Sequence, residues 1–303
     1  MKVKVRNKKR LIQKKSVSKR RYINIFGFLL ALILTLLVVV LVIGSLSNNP
    51  RSTSGDGLEQ FSEIPKPVLI IVLDDAGHNV SQLKKFLTLP FPLAIAVLPQ
   101  LSYSVESAKL IHGAGKTVMV HMPMEPLGSA DPGPGAIFLG DSPSVIREKL
   151  QIAVKQIPFA AGLNNHMGSK VTSDLDSVNA ILEEVRSLGL FFLDSVTSSR
   201  SVARKAAGDL NIKILERAVF LDNEKNREYI LEAFEEGKEI ARTKGHAVMI
   251  GHVWTEELAD VLLEIYPRLI DDGFDIQEIS AFLEGRDLMH TGEEMFVEEE
   301  FGL

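Results

Sequence analysis

From residue 67 onward the chain alternates short apolar runs with amphipathic stretches. The runs are 68–73 (VLIIVL), 93–98 (LAIAVL), 117–120 (TVMV), a weaker 159–163 (FAAGL), 190–193 (LFFL), 212–215 (IKIL) and 247–250 (AVMI). They are continuous rather than strictly alternating, which predicts strands buried on both faces. Between them, 102–114, 143–156, 175–188, 224–243 and 255–271 carry apolar positions at helical spacing. Ser102, Ser142 before Pro143, Asp174 and Thr255 stand where helices should start, and Gly115, Gly189 and Gly273 where they should stop. Strands alternating with helices over about 215 residues predict one parallel α/β domain, closed or nearly closed as a barrel.

The pattern before residue 67 is different. Residues 2–21 (KVKVRNKKRLIQKKSVSKRR) hold 11 Lys and Arg, and the 21 residues Ile23–Ile43 that follow carry no charge. As a helix the second stretch would be about 31 Å long, the thickness of a hydrocarbon core. The basic block keeps residues 1–22 in the cytoplasm and sends everything after the span across the membrane. A cleaved signal peptide is the competing reading. Its apolar region would be only about 7–15 residues and would end in an A-x-A-like site. The exit here, GSLSNNP, is a poor cleavage site. The expectation is a single-pass cell-membrane protein with a retained anchor at 23–43 and a flexible linker at 44–66. A barrel at 67–283 and a loosely ordered acidic tail at 284–303 would follow.

Composition narrows the chemistry. Hydrophobic residues make up 46% and charged residues 24% of the chain, an ordinary globular balance. There is no cysteine, which excludes disulfides, thiolate metal sites and cysteine nucleophiles. The net charge of -5 conceals a split, because residues 51–303 hold 23 Lys and Arg against 39 Asp and Glu, a balance of -16. Such an acidic body argues against a nucleic-acid partner, since phosphates are neutralised by clustered Lys and Arg.

In parallel α/β folds the chemistry sits at the carboxyl ends of the strands. The first run is followed by Asp74 and Asp75, the third by His121 with Glu125 close behind, and the fourth by Asn164, Asn165 and His166. Asp194 and Ser195 follow the fifth, Glu216 and Arg217 the sixth, and His252 the seventh. Three His and three Asp at one rim are what a metal site needs. Two ring nitrogens and a carboxylate can hold a Zn²⁺-like ion with one position open. A second carboxylate can take a proton from water, and a further His can protonate a leaving group. The single tryptophan, Trp254, follows the last of these His; it either stacks on a sugar ring or caps the barrel.

The segments DDAGH, HMPMEP, NNHMGS, FFLDS and IGH, one per strand end and in this order, resemble the divergent polysaccharide deacetylase family. That family belongs to the NodB-homology, or carbohydrate esterase 4-like, superfamily. The resemblance covers residues 67–283. It implies a distorted (β/α) barrel and metal-dependent removal of acetyl groups from a glycan, with one divalent metal, Zn²⁺ by donor type. It assigns Asp74 as catalytic base, Asp75 and His121 as metal ligands and His252 as general acid. Glu125 stands where the superfamily's second metal His would be, so His166 becomes the replacement ligand. Glu125 itself is then a further ligand or a salt-bridge partner behind the site, and Asp194 is expected to orient His252. The superfamily's Arg-Pro motif is not recognisable. Two rival readings follow: a membrane-anchored, non-catalytic glycan-binding or regulatory protein on the same fold, and a glycosidase using two of Glu125, Asp194 and Asp74. The extracytoplasmic address makes peptidoglycan a candidate glycan.

Overall fold

The computed structural model describes residues 65–285. The chain divides into two units, Met1–Phe61 and Ser62–Leu303, and the description below concerns the second. The anchor expected at 23–43, the basic tail before it, nearly all of the linker and the tail from 286 lie outside the described residues. Among the described residues, no helix is long and apolar enough to cross a membrane.

Among the described residues, eight strands form one parallel sheet: β1 (Val68–Ala76), β2 (Ala94–Val97), β3 (Thr117–Met124), β4 (Ala160–Met167), β5 (Phe191–Asp194), β6 (Ile214–Phe220), β7 (His246–His252) and β8 (Asp275–Ile276). Their order is β2-β3-β4-β5-β6-β7-β1-β8, and an added β1–β2 pairing closes the first seven into a barrel. One edge of β1 is shared. Val68 and Leu69 pair with β8, whereas Val72, Leu73 and Ala76 pair with β2. Around the barrel run α1 (Ser104–Gly113), α2 (Pro143–Gln156), α3 (Leu175–Ser187), α4 (Ala203–Asp209), α5 (Arg227–Lys244) and α6 (Glu256–Asp271). The apolar runs mark all seven barrel strands. The periodicity misses α4, the short helical turns over Val80–Leu87 and Val171–Ser173, and the two-residue β8. These are too short to carry a period.

Local chemistry sets the boundaries. Ser142, with Pro143 at the first helical position, accepts the Val145 N–H and starts α2. Asp174 accepts the Ser177 N–H at α3, and Asn226 the Tyr229 N–H at α5. Gly245, at φ 80°, ends α5 and turns the chain straight into β7.

The core has two layers, and strand parity sorts side chains between them. Val68, Ile70 and Val72 join Ala94, Ala96, Met119, Leu193, Leu215, Val248 and Ile250 in the barrel lumen. Leu69, Ile71 and Leu73 instead pack outward with Val118, Val120, Leu163, Phe192 and Met249, against helical residues such as Ile111, Leu150, Phe234 and Leu262. Continuing the lumen parity by two residues places Asp74, His121 and His252 on the inner face. This is how a purely apolar alternation aims polar residues at one mouth.

Candidate active site

Asp74 and Asp75 are adjacent, so strict alternation would send only one of them inward. The backbone resolves this. The β1–β2 register shifts between Leu73 and Ala76, a bulge, and Asp75 takes a left-handed φ of 67°. Aspartate tolerates that region better than most residues, and the bulge turns Asp75 back toward the mouth beside Asp74.

Asp75, His121 and His166 converge. Asp75 Oδ1 lies 3.3 Å from His121 Nε2 and 3.1 Å from His166 Nδ1. The two ring nitrogens are 3.0 Å apart. A tetrahedral ion with bonds of about 2.0–2.1 Å spaces its ligand atoms about 3.3 Å apart, so this triangle has the dimensions of one face of a zinc site. Asp75 Oδ1 is also buried without a well-formed hydrogen bond. This oxygen is left open to a further partner, and one carboxylate oxygen beside two ring nitrogens is a donor set that fits a divalent cation. Burial alone would raise Asp75, yet His121 and His166 hold its carboxyl well below the usual range. Burial likewise opposes charge on His121, but Asp74 and Asp75 push it up to about 9. Positive charge is strongly favoured at this spot.

Asn164, on β4 and fully buried, ties the cluster to Asp74. Its Nδ2 donates to Asp74 Oδ1 at 2.8 Å and to Ser195 Oγ at 3.2 Å. Its Oδ1, 2.8 Å from His121 Nδ1, must then be the acceptor of that N–H. This arrangement puts the proton of neutral His121 on Nδ1 and leaves Nε2 as a ligand atom. Asp74 is 2% exposed. Burial raises its pKa against the pull of His121, His252 and Asn164.

His252, on the neighbouring strand β7, is paired in register with Asp74. Its Nδ1 is 2.8 Å from Asp222 Oδ1, and its backbone N–H donates to Asp222 Oδ2 at 2.9 Å. Burial lowers the pKa of His252, but the bond and charge of Asp222 outweigh it, and the net shift is upward.

Two expected residues are placed elsewhere. Asp194 does not orient His252. Leu193 faces the lumen, so Asp194 falls on the outer parity, where it accepts the Val196 N–H at 2.8 Å and the Ser201 hydroxyl at 2.6 Å. It stabilises a turn in which Val196 has a φ of 45°. Asp222 holds His252 instead. The apolar run at 212–215 does not reach Asp222, because β6 runs on to Phe220 through a register shift between Arg217 and Val219. The run VFLD at 219–222, an apolar stretch ending in Asp like FFLD at 191–194, was the available signal. Glu125 is a salt-bridge partner and not a ligand. Lys170 Nζ is 2.6 Å from its Oε1, and the Leu139 N–H donates to its Oε2 at 2.8 Å. Of the three carboxylates that the glycosidase reading draws on, Glu125 and Asp194 are thus engaged in their own turns, and Asp74 alone is tied to the cluster.

The chain is similar to several known proteins. The family model described as divergent polysaccharide deacetylase matches residues 71–283. An uncharacterised Escherichia coli protein, YibQ, is 35% identical over 184 residues, 61% of this chain and 58% of that protein. An uncharacterised protein of Haemophilus influenzae is 30% identical over 184 residues, 61% of this chain and 66% of its own. The match thus spans less than two thirds of either relative. A solved structure of an uncharacterised Agrobacterium tumefaciens protein shares the fold, with a TM-score of 0.66 at 21% identity over 73% of this chain and 91% of that one.

Proposed function

The chain belongs to the divergent polysaccharide deacetylase family, and from that premise we propose that it is a metal-dependent hydrolase removing acetyl groups from an extracytoplasmic glycan. The observation that carries the reading is the Asp75–His121–His166 triangle with two further groups at the same mouth, Asp74 and, in register with it on β7, the His252–Asp222 pair. Asp75, His121 and His166 would hold the ion. When bound, a Zn²⁺-like ion supplies Lewis-acid polarisation of the acetyl carbonyl and acidifies water, whose pKa falls from 15.7 to about 7 in well-built sites. Asp74 takes the proton of the attacking water. Asn164 keeps the Asp74 carboxylate turned toward that water. His252 delivers a proton to the departing sugar nitrogen or oxygen, and Asp222 favours the protonated imidazole by raising its pKa and fixes the ring through Nδ1. The uncharged 21-residue span behind 11 basic residues supports an address outside the cytoplasm, with peptidoglycan a candidate substrate.

One observation favours the non-catalytic rival. The superfamily's Arg-Pro motif is not recognisable in the chain. Zinc content and acetate release from acetylated glucosamine oligomers and peptidoglycan fragments separate the readings. The expected outcome is about one zinc per chain with turnover. Asp74→Asn and His252→Ala should keep the metal and lose about 10²–10⁴-fold in rate, whereas His166→Ala should lose metal. Bound zinc with no acetate from any of these glycans would hand the assignment to the glycan-binding protein.

A further inference from the structure

Trp254, the chain's sole tryptophan, touches both halves of the site. Its Nε1–H donates to Asp75 Oδ2 at 2.9 Å. Its ring stacks on the His252 imidazole, with centroids 4.6 Å apart and 20° between planes. The Lys225 ammonium lies 3.9 Å from the ring centroid. Asp75 is the ligand whose placement is most demanding, because its backbone is left-handed and its carboxylate can rotate about the bond to Cβ. With Oδ2 tied to an indole N–H, that rotation is blocked. Oδ1 alone is then turned toward His121 and His166.

Resting on the metal-site reading above, we propose that Trp254 is a positioning residue: it confines Asp75 to one-oxygen ligation and holds the His252 ring at a fixed distance from that ligand. One rigid indole then sets the metal side and the proton-donor side of the mouth relative to each other. With its N–H on Asp75 and its ring stacked on His252, the indole is built into the wall of the site.

Zinc affinity of the purified 303-residue chain, measured by competition with a chelating dye, tests this. Trp254→Phe keeps an aromatic ring and removes the donor. Because that change also shrinks the ring, a second variant carries the benzothiophene analogue of tryptophan at 254, which keeps the bicyclic shape and replaces only the N–H by sulfur. Both should bind zinc about 10–100-fold more weakly than wild type, the usual cost of losing a ligand's supporting hydrogen bond, with unchanged far-ultraviolet circular dichroism. In wild type, tryptophan emission should shift during zinc titration and level off at the same zinc concentration as the dye signal. Tight zinc binding by wild type with undiminished affinity in both variants would overturn the role of Trp254 alone. A wild type that takes up no zinc would overturn the metal-site reading and this inference with it.

Discussion

At the scale of single residues, the site depends on which way a side chain is aimed more than on which residue is present. Asp194 and Asp222 show this. Both are buried aspartates just past an apolar run, and only the second reaches His252. Asp222→Ala should therefore retain zinc and lose about 10²-fold or more in rate. It should also move the basic limb of the pH–rate profile to lower pH. His252 must be protonated to act, and removing Asp222 takes away what raises its pKa above that of a buried imidazole. Asp194→Ala should leave the profile alone. It should instead cost about 1–3 kcal/mol in unfolding free energy, by stranding the Val196 N–H and the Ser201 hydroxyl. If Asp194→Ala shifted the profile and Asp222→Ala did not, the assignment of the two would be reversed. The residue types were legible in the chain. The choice between two aspartates was not, because a bulge between Arg217 and Val219 changes the parity of β6 and nothing in the residues themselves announces a bulge.

At the scale of elements, the loops leaving β3 and β4 are stapled together. Glu125, just after β3, takes Lys170 from beyond β4 through its side chain and accepts the Lys170 and Val171 N–H groups on its backbone carbonyl. It also anchors Leu139 in the long connection to α2. Lys170 and then the Leu139 N–H hold the Glu125 pKa below the ordinary value. A carboxylate depressed in this way stabilises the fold above its unfolded-state pKa, and the contribution is lost as pH falls through the lower folded-state value. Urea midpoints of wild type and Glu125→Gln should therefore differ at neutral pH and converge on acidification below the ordinary glutamate range. A gap that persists in acid would show that the staple is not electrostatic. Helices and strands of ordinary length were legible from period and caps. The staple was not, since it joins positions 45 residues apart that only the β3–β4 pairing brings side by side.

At the scale of the whole molecule, charge and hydropathy divide the chain into a basic leader, an apolar span and an acidic body. Protease added to intact spheroplasts should digest the body while an N-terminal epitope stays protected. A mature chain beginning after Ser45 would instead mark the span as a cleaved signal. An acidic body around a site that favours cations has a further consequence. Divalent ions are drawn to the mouth, while anionic polymers are repelled by the body as a whole. Divalent-ion uptake should therefore slow as ionic strength rises.

Taken alone, the sequence determined the barrel class, the seven strands and the set of residue types at one rim. These follow from local patterns: continuous apolar runs, caps, and polar residues placed where a strand must end. The resemblance carried by five short segments named the family. Only the tertiary structure decided three further things. The left-handed turn at Asp75 brings two adjacent aspartates to one mouth. Asn164 links Asp74 to His121 across strands, and Trp254 reaches Asp75 from 179 residues away. The physical reason is common to all three. A side chain's direction depends on bulges and on neighbours distant in sequence, and those exist only once the barrel has closed.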